Sequence, residues 1–257
     1  IVNVNPVPTI TATAYPSTIC SGQTTTLTAS GGDAYLWNTG ATAMSIVVNP
    51  TVTTTYSITG TSSSCSNTNT ITVIVNPVAT ITVTASPSMI CSGQSTTFTA
   101  SGSATYVWSP GGQTTASITD NPTITTTYTV TGTDANGCVS SAETVVITVN
   151  QTPDTPTAGS NSPVCSGQTL ELTASTISGA TYLWSGPNSF SSTLQSLSVA
   201  NVTTLASGTY SVTVMSVMNG CTSSAGTVAV TVNQTPSVPT ASSNSPVCSG
   251  QTLSLSA

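Results

Sequence analysis

Cysteine is the residue type on which any chemistry of this chain must rest. The seven cysteines stand beside six carboxylates in a sequence with no lysine, arginine or histidine. Four of them open the string Cys-Ser-Gly-Gln, at Cys20, Cys91, Cys165 and Cys248; the other three, Cys65, Cys138 and Cys221, stand alone. No C-x-x-C spacing and no histidine is present to suggest a metal site. Matched positions therefore point to disulfides and an oxidising compartment, the alternative being buried free thiols. A serine or cysteine nucleophile would lack a histidine or lysine base. The carboxylates Asp33, Asp120, Asp134, Glu143, Asp154 and Glu171 occupy different places in the sequence pattern. No pair recurs that could serve glycoside hydrolysis. Asp134, in Asp134-Ala135-Asn136-Gly137, brings one carboxylate where calcium takes six to eight oxygens, so it reads as turn chemistry. We expect no enzyme activity, no metal and no cofactor.

Charge narrows the partners further. Only 2% of residues are charged, all acidic, for a net charge of −6; ordinary domains carry roughly 25%. Nothing here can neutralise phosphate, which excludes nucleic acid and an anionic membrane surface. Salt bridges and lysine isopeptide bonds are excluded too. Disorder is not implied, because 37% of residues are hydrophobic and they fall in period-2 runs. None of these runs approaches the roughly 18 residues of a membrane span.

The elements that must position the cysteines repeat. Each Cys-Ser-Gly-Gln is followed seven residues later by an apolar residue, Leu27, Phe98, Leu172 or Leu255. A Tyr-x-Trp comes next (Tyr35/Trp37, Tyr106/Trp108, Tyr182/Trp184), then a tyrosine (Tyr56, Tyr128, Tyr210), the second cysteine, and a strand ending in Val-Asn at Asn76, Asn150 or Asn233. Fixed-period similarity of this kind marks an array of modules. The Asn5–Asn76, Asn76–Asn150 and Asn150–Asn233 spacings are 71, 74 and 83 residues, one small core each. We divide the chain at 1–76, 77–150 and 151–233, with 234–257 the start of a fourth repeat. The sequence opens in a strand-like run, Ile1 to Val4, and stops within a strand, as a segment of a longer polypeptide would.

Alternation is clearest in the last strands, where Ile71/Val73/Val75 match Val145/Ile147/Val149 and Val228/Val230/Val232, the signature of a half-buried strand. Leu27/Ala29, Phe98/Ala100 and Leu172/Ala174 mark a second inward face. Asn136-Gly137 and Asn219-Gly220 are hairpin-turn signals, and prolines gather at the repeat joints. No helical period is visible. Six or seven short strands per module, with a tryptophan in the third, predict an all-β tandem array of small immunoglobulin-like sandwiches. Trp37, Trp108, Trp184, Tyr56, Tyr128 and Tyr210 are assigned to the core, rather than to a sugar-binding face.

The stretches CSGQTTTLTASGGDAYLWNTG with PTVTTTYSITGT, and CSGQSTTFTASGSATYVWSPGG with PTITTTYTVTGTDANGC, resemble the Ig-like and PKD-like repeats of giant secreted surface proteins of Bacteroidota. Those repeats belong to adhesins and gliding-associated proteins exported by the type IX system. The resemblance covers essentially the whole chain and implies an extracellular stalk, adhesin or fibre; it brings no catalytic residue. Neutral, threonine-covered sandwiches can self-associate without desolvating ions, and their edges lack the lysines that block pairing. The leading expectation is a repeat segment of an extracellular filament or sheath. The alternatives are the passive stalk of an adhesin whose head lies elsewhere, and a carbohydrate-binding accessory module of a secreted enzyme. Asn150, Asn201 and Asn233 head N-glycosylation sequons, and the many serines and threonines are good acceptors for O-linked glycan.

Two pairings of the cysteines are open. The simpler joins Cys20 to Cys65, Cys91 to Cys138 and Cys165 to Cys221, within modules. Yet the first cysteine, at the start of the second strand, and the second, in the hairpin before the last, belong at opposite ends of a sandwich. A seven-residue strand separates such ends by roughly 23 Å, and a disulfide needs Cα atoms within about 7 Å. Stacking modules end to end would instead pair Cys20 with Cys138 and Cys91 with Cys221. Cys65, Cys165 and Cys248 would then pair outside the segment.

Two repeat subtypes are also legible. The first two copies share VNPV and a PS-x-I-CSGQ entry, and the last two share VNQTP and SNSPVCSGQTL.

Overall fold

The computed structural model describes residues 4–257; of the opening Ile1–Val4 run, all but Val4 lies outside them. In the first module β1 (Thr11–Tyr15), β3 (Thr25–Ser30) and β5 (Ser45–Val48) form one sheet, in the order β1-β3-β5. The facing sheet holds β2 (Thr18–Cys20), β7 (Cys65–Asn76), β6 (Thr54–Ser62) and β4 (Ala34–Trp37), in that order. All pairings are antiparallel except β2 with β7.

The second module repeats this plan. Its strands are β8 (Thr82–Ser86), β9 (Met89–Cys91), β10 (Thr96–Ser101), β11 (Thr105–Ser109), β12 (Ser117–Asp120), β13 (Thr126–Thr133) and β14 (Glu143–Asn150). They form sheets ordered β8-β10-β12 and β9-β14-β13-β11. The third module has β15 (Ala158–Ser160), β16 (Val164–Cys165), β17 (Leu170–Ala174), β18 (Ala180–Gly186), β19 (Phe190–Ser192), β20 (Ser196–Val199), β21 (Gly208–Ser216), β22 (Gly226–Val230) and β23 (Val232–Asn233). The extra strand β19 extends the sheet β19-β18-β21-β22, and β16 pairs in parallel with β23.

In the first two modules the second sheet thus gains a short strand, β2 or β9, and in the third the corresponding strand β16 pairs with β23 alone. The short strand corrects the sequence reading: Cys20 ends β2, a separate element, and does not begin the strand carrying Leu27.

Each module has its own core, as two facing apolar sheets require. Trp37, Trp108 and Trp184 are no more than 1% exposed, packed with Leu27, Phe98 or Leu172 and with Tyr56, Tyr128 or Tyr210. Each indole is also satisfied: its Nε1–H donates to the carbonyl of Ala43, Thr115 or Leu194 at 2.9, 2.9 and 3.0 Å. Phe98 stands 4.3 Å from Tyr128 and 5.8 Å from Trp108 between ring centroids, tilted to both. The turns after β3 and β10 need glycine. Gly31 (φ 92°) and Gly102 (φ 103°) have left-handed backbones, and a Cβ on either would strike the carbonyl oxygen of Thr9 or Thr80.

Two compact units emerge, Ile1–Val149 with the first two modules and Asn150–Ala257 with the third. Residues 234–257 form only a small pair, β24 (Ser242–Ser243) with β25 (Leu255–Ser256), and all are exposed. Leu255, aligned with the core residue Leu27, is 75% exposed.

Candidate functional site: a cysteine clamp across the first junction

The Cys-Ser-Gly-Gln string folds as one sealed turn wherever it occurs in a complete module. Its glycine has φ near +80° (Gly22 80°, Gly93 79°, Gly167 88°), the third-position requirement of a type II turn. The glutamine closes it. The Gln23 N–H donates to the Cys20 carbonyl at 2.9 Å, and its Oε1 accepts the Cys20 N–H at 3.1 Å. Gln94 and Gln168 repeat both bonds with Cys91 and Cys165.

This turn is docked on the end of the last strand. Cys20 lies in register with Asn76, and the Ser21 N–H donates to the Asn76 carbonyl at 2.9 Å. In the third module Cys165 lies in register with Asn233, and Ser166 bonds it at 2.8 Å. The first cysteine of a module is therefore held where the chain exits.

The second cysteine is held at the opposite end, where the chain enters. Cys65 begins β7, with its Sγ 3.6 Å from the Asn5 carbonyl, and Cys221 Sγ lies 3.9 Å from the Asn150 carbonyl. Cys138 is fully buried. Asp134 orders its loop: one carboxylate oxygen accepts the N–H groups of Asn136 and Cys138, both at 2.8 Å. That is the turn role assigned to this carboxylate.

Across the first junction the two kinds of end meet. Cys20 and Cys138 form a disulfide with Cα atoms 5.5 Å apart and a sequence separation of 118. The bond bridges the linker that follows Asn76. A Cys20–Cys65 bridge has no geometric basis, because Cys65 starts and Asn76 ends the twelve-residue β7, about 36 Å of strand. Cys91 and Cys221 each belong to a disulfide as well. Among the described residues Cys65, Cys165 and Cys248 are free thiols, the first half-buried and the others exposed.

The tyrosines of the Tyr-x-Trp motifs close loops. Tyr106 Oη accepts the Ser103 N–H at 3.0 Å and donates to the Ser103 carbonyl; Tyr35 accepts from Gly32, and Tyr182 from Ile177. Their Tyr-x-Trp spacing was the available signal. Tyr128 donates to Asp120 Oδ2 at 2.6 Å and Tyr210 to the Ala206 carbonyl at 3.1 Å. Burial pushes the Tyr56, Tyr128 and Tyr210 phenols above the usual value, with the Asp120 carboxylate adding to the rise at Tyr128.

No group of three or more potential metal ligands occurs among the described residues. A cleft of about 620 Å³ in the third module is lined by Leu183, Met215 and threonines on the outer face of β18 and β21. Tyr15, 86% exposed, is the one aromatic among the large exposed side chains of the described residues.

Sheet order, inward tryptophan and the short strand beside the last one define the class: a tandem array of immunoglobulin-like β-sandwiches. No protein-family model matches the chain, and no curated protein does. Solved structures similar to it include the I-band fragment I67–I69 of titin (11% identity, TM-score 0.40, covering 85% of this chain and 95% of that one). The three N-terminal domains of the outer capsid protein Hoc of bacteriophage RB49 match at 14% identity and TM-score 0.33, over 90% and 99% of the two chains. Murine CEACAM1b matches at 16% and 0.29, over 60% and 100%.

Proposed function

We propose that this chain is a repeat segment of an extracellular filament or sheath, built from immunoglobulin-like modules joined end to end and fastened at each junction by a disulfide. The observation that carries the reading is the Cys20–Cys138 bond, which ties the exit of one module to the entry of the next. By repeat equivalence Cys91 bonds Cys221. A disulfide-based design suits an oxidising exterior, and the resemblance to type IX-exported surface repeats of Bacteroidota supports that location.

Lateral self-association would use the uncharged sheet faces. On the outer face of β6 and β7, Thr55 pairs with Thr72 at 2.8 Å and Thr59 with Thr68 at 3.1 Å, hydroxyl to hydroxyl. Such a face meets a copy of itself without an ionic desolvation cost. The passive adhesin stalk is the second reading, favoured by the same clamp acting within a single rod. Carbohydrate binding is less supported, since one exposed tyrosine makes no stacking platform.

Electron microscopy of the native material, with and without reductant, separates the first two. Continuous fibres that loosen on reduction support the filament. Isolated rods at all concentrations would overturn it in favour of the stalk.

A further inference from the structure

The cysteine spacings carry more than the pairing. From each second cysteine to the next first cysteine the distance is almost constant: 26 residues from Cys65 to Cys91, and 27 from Cys138 to Cys165 and from Cys221 to Cys248. Within modules it is not. Cys20 to Cys65 is 45 residues, Cys91 to Cys138 is 47, and Cys165 to Cys221 is 56. Nearly all the length variation of the repeat falls between a module's own two cysteines. There the third module places its extra strand β19 and two 3-10 turns, Pro187–Ser189 and Thr204–Ala206.

We propose that the constant segments and the disulfides together form two interleaved covalent tracks that carry tension along the array and leave the tryptophan-bearing strands of each module out of the load path. The proposal rests on the Cys91–Cys221 pairing inferred above. One track enters at Cys20, crosses the first junction by the bond to Cys138, and then follows the backbone through β14, β15 and β16 to Cys165. The other follows the backbone from Cys65 through β7, β8 and β9 to Cys91, then crosses by disulfide to Cys221 and runs on to Cys248. Every junction is spanned twice, once by peptide and once by sulfur, and the two tracks exchange these roles from one junction to the next.

The constant segments consist mainly of strands and their linkers. A strand already rises about 3.3 Å per residue, close to the 3.3–3.6 Å limit of a chain. The tracks therefore have little length to give. Strands β3–β6, β10–β13 and β17–β21, with all three tryptophans, lie on the loops between a module's two cysteines, whereas β7, β14 and β22 contribute Val73, Ile147 and Val230 to the cores from within the constant segments. Unfolding those loops adds no length to either track. The free thiols Cys65, Cys165 and Cys248 stand at the open ends of the tracks.

The second track can be pulled by its own ends. In the Cys165→Ser chain, handles attached through Cys65 and Cys248 are stretched until the protein is fully unfolded. The oxidised chain should stop at the length of the two constant segments, about 180 Å, and reductant should release it to the whole intervening span, about 600 Å. Adding Cys91→Ser should lengthen the oxidised chain about threefold. Adding Cys138→Ser should leave it unchanged. Full unfolding makes these lengths indifferent to whether a variant folds. Equal oxidised and reduced lengths would overturn the tracks, as would a stop near 460 Å, the length set by a Cys91–Cys138 bridge. The measurement is made on single chains, so tracks without fibres, or fibres without tracks, would each be recognised.

Discussion

Trp108 is 1% exposed, wedged near Phe98, and its one polar atom is bonded to the Thr115 carbonyl. Trp108→Ala should therefore cost about 3–5 kcal/mol, read as a fall in the denaturant midpoint of the first unit. A loss under 1 kcal/mol would mean that the indole is not a core element. The tyrosines give the chain an alkaline limit. Tyr56, Tyr128 and Tyr210 have folded pKa values raised above the unfolded value near 10, so their contribution is complete below that pH and is lost as pH climbs through the folded values. Thermal melts followed by circular dichroism should decline above pH 10, with phenolate absorbance rising as the fold is lost. Tyr128→Phe, which removes the phenol facing Asp120, should soften that decline in the first unit.

The Cys-Ser-Gly-Gln turn shows how much of an element is legible before its structure is known. Its recurrence and its glycine mark a turn, and alternation located β3, β7 and their counterparts with their inward faces. The short β2 and β9 were not legible: three residues after a proline carry no period, and only pairing with the distant last strand makes them strands. The glutamine was equally opaque, since its role is to accept the N–H of the cysteine three residues back. Gln23→Ala should cost about 1 kcal/mol and speed exchange of the Cys20 amide; an unchanged exchange rate would assign the glutamine elsewhere. The subtypes acquire a physical meaning here. Thr25 and Thr96 hold the Pro16 and Pro87 carbonyls at 2.6 Å in the first two copies. In the last two, Asn161 and Asn244 instead bridge to the Thr169 and Thr252 carbonyls and to the N–H groups of Glu171 and Ser254.

At the scale of the molecule, stability rests on burial, hydrogen bonds and sulfur, with no cationic side chain to form an ion pair. Ionic strength should then matter little: between dilute and physiological sodium chloride the melting temperature should move by under about 2 °C. A larger shift would reveal repulsion among the carboxylates, or an ion-dependent assembly. The repeating plan of strands was readable because identical constraints recur in each copy; the clamp was harder, because a bond between modules is a property of neither alone. The 118-residue reach of the Cys20–Cys138 bond also imposes an order in time. A chain emerging from its amino terminus presents Cys20 long before Cys138 exists, while Cys65, available sooner, is fixed at the far end of β7. Cys20 must therefore wait as a thiol until the next module has been made. Maturation of such an array follows synthesis one module behind, each new domain sealing the one before it.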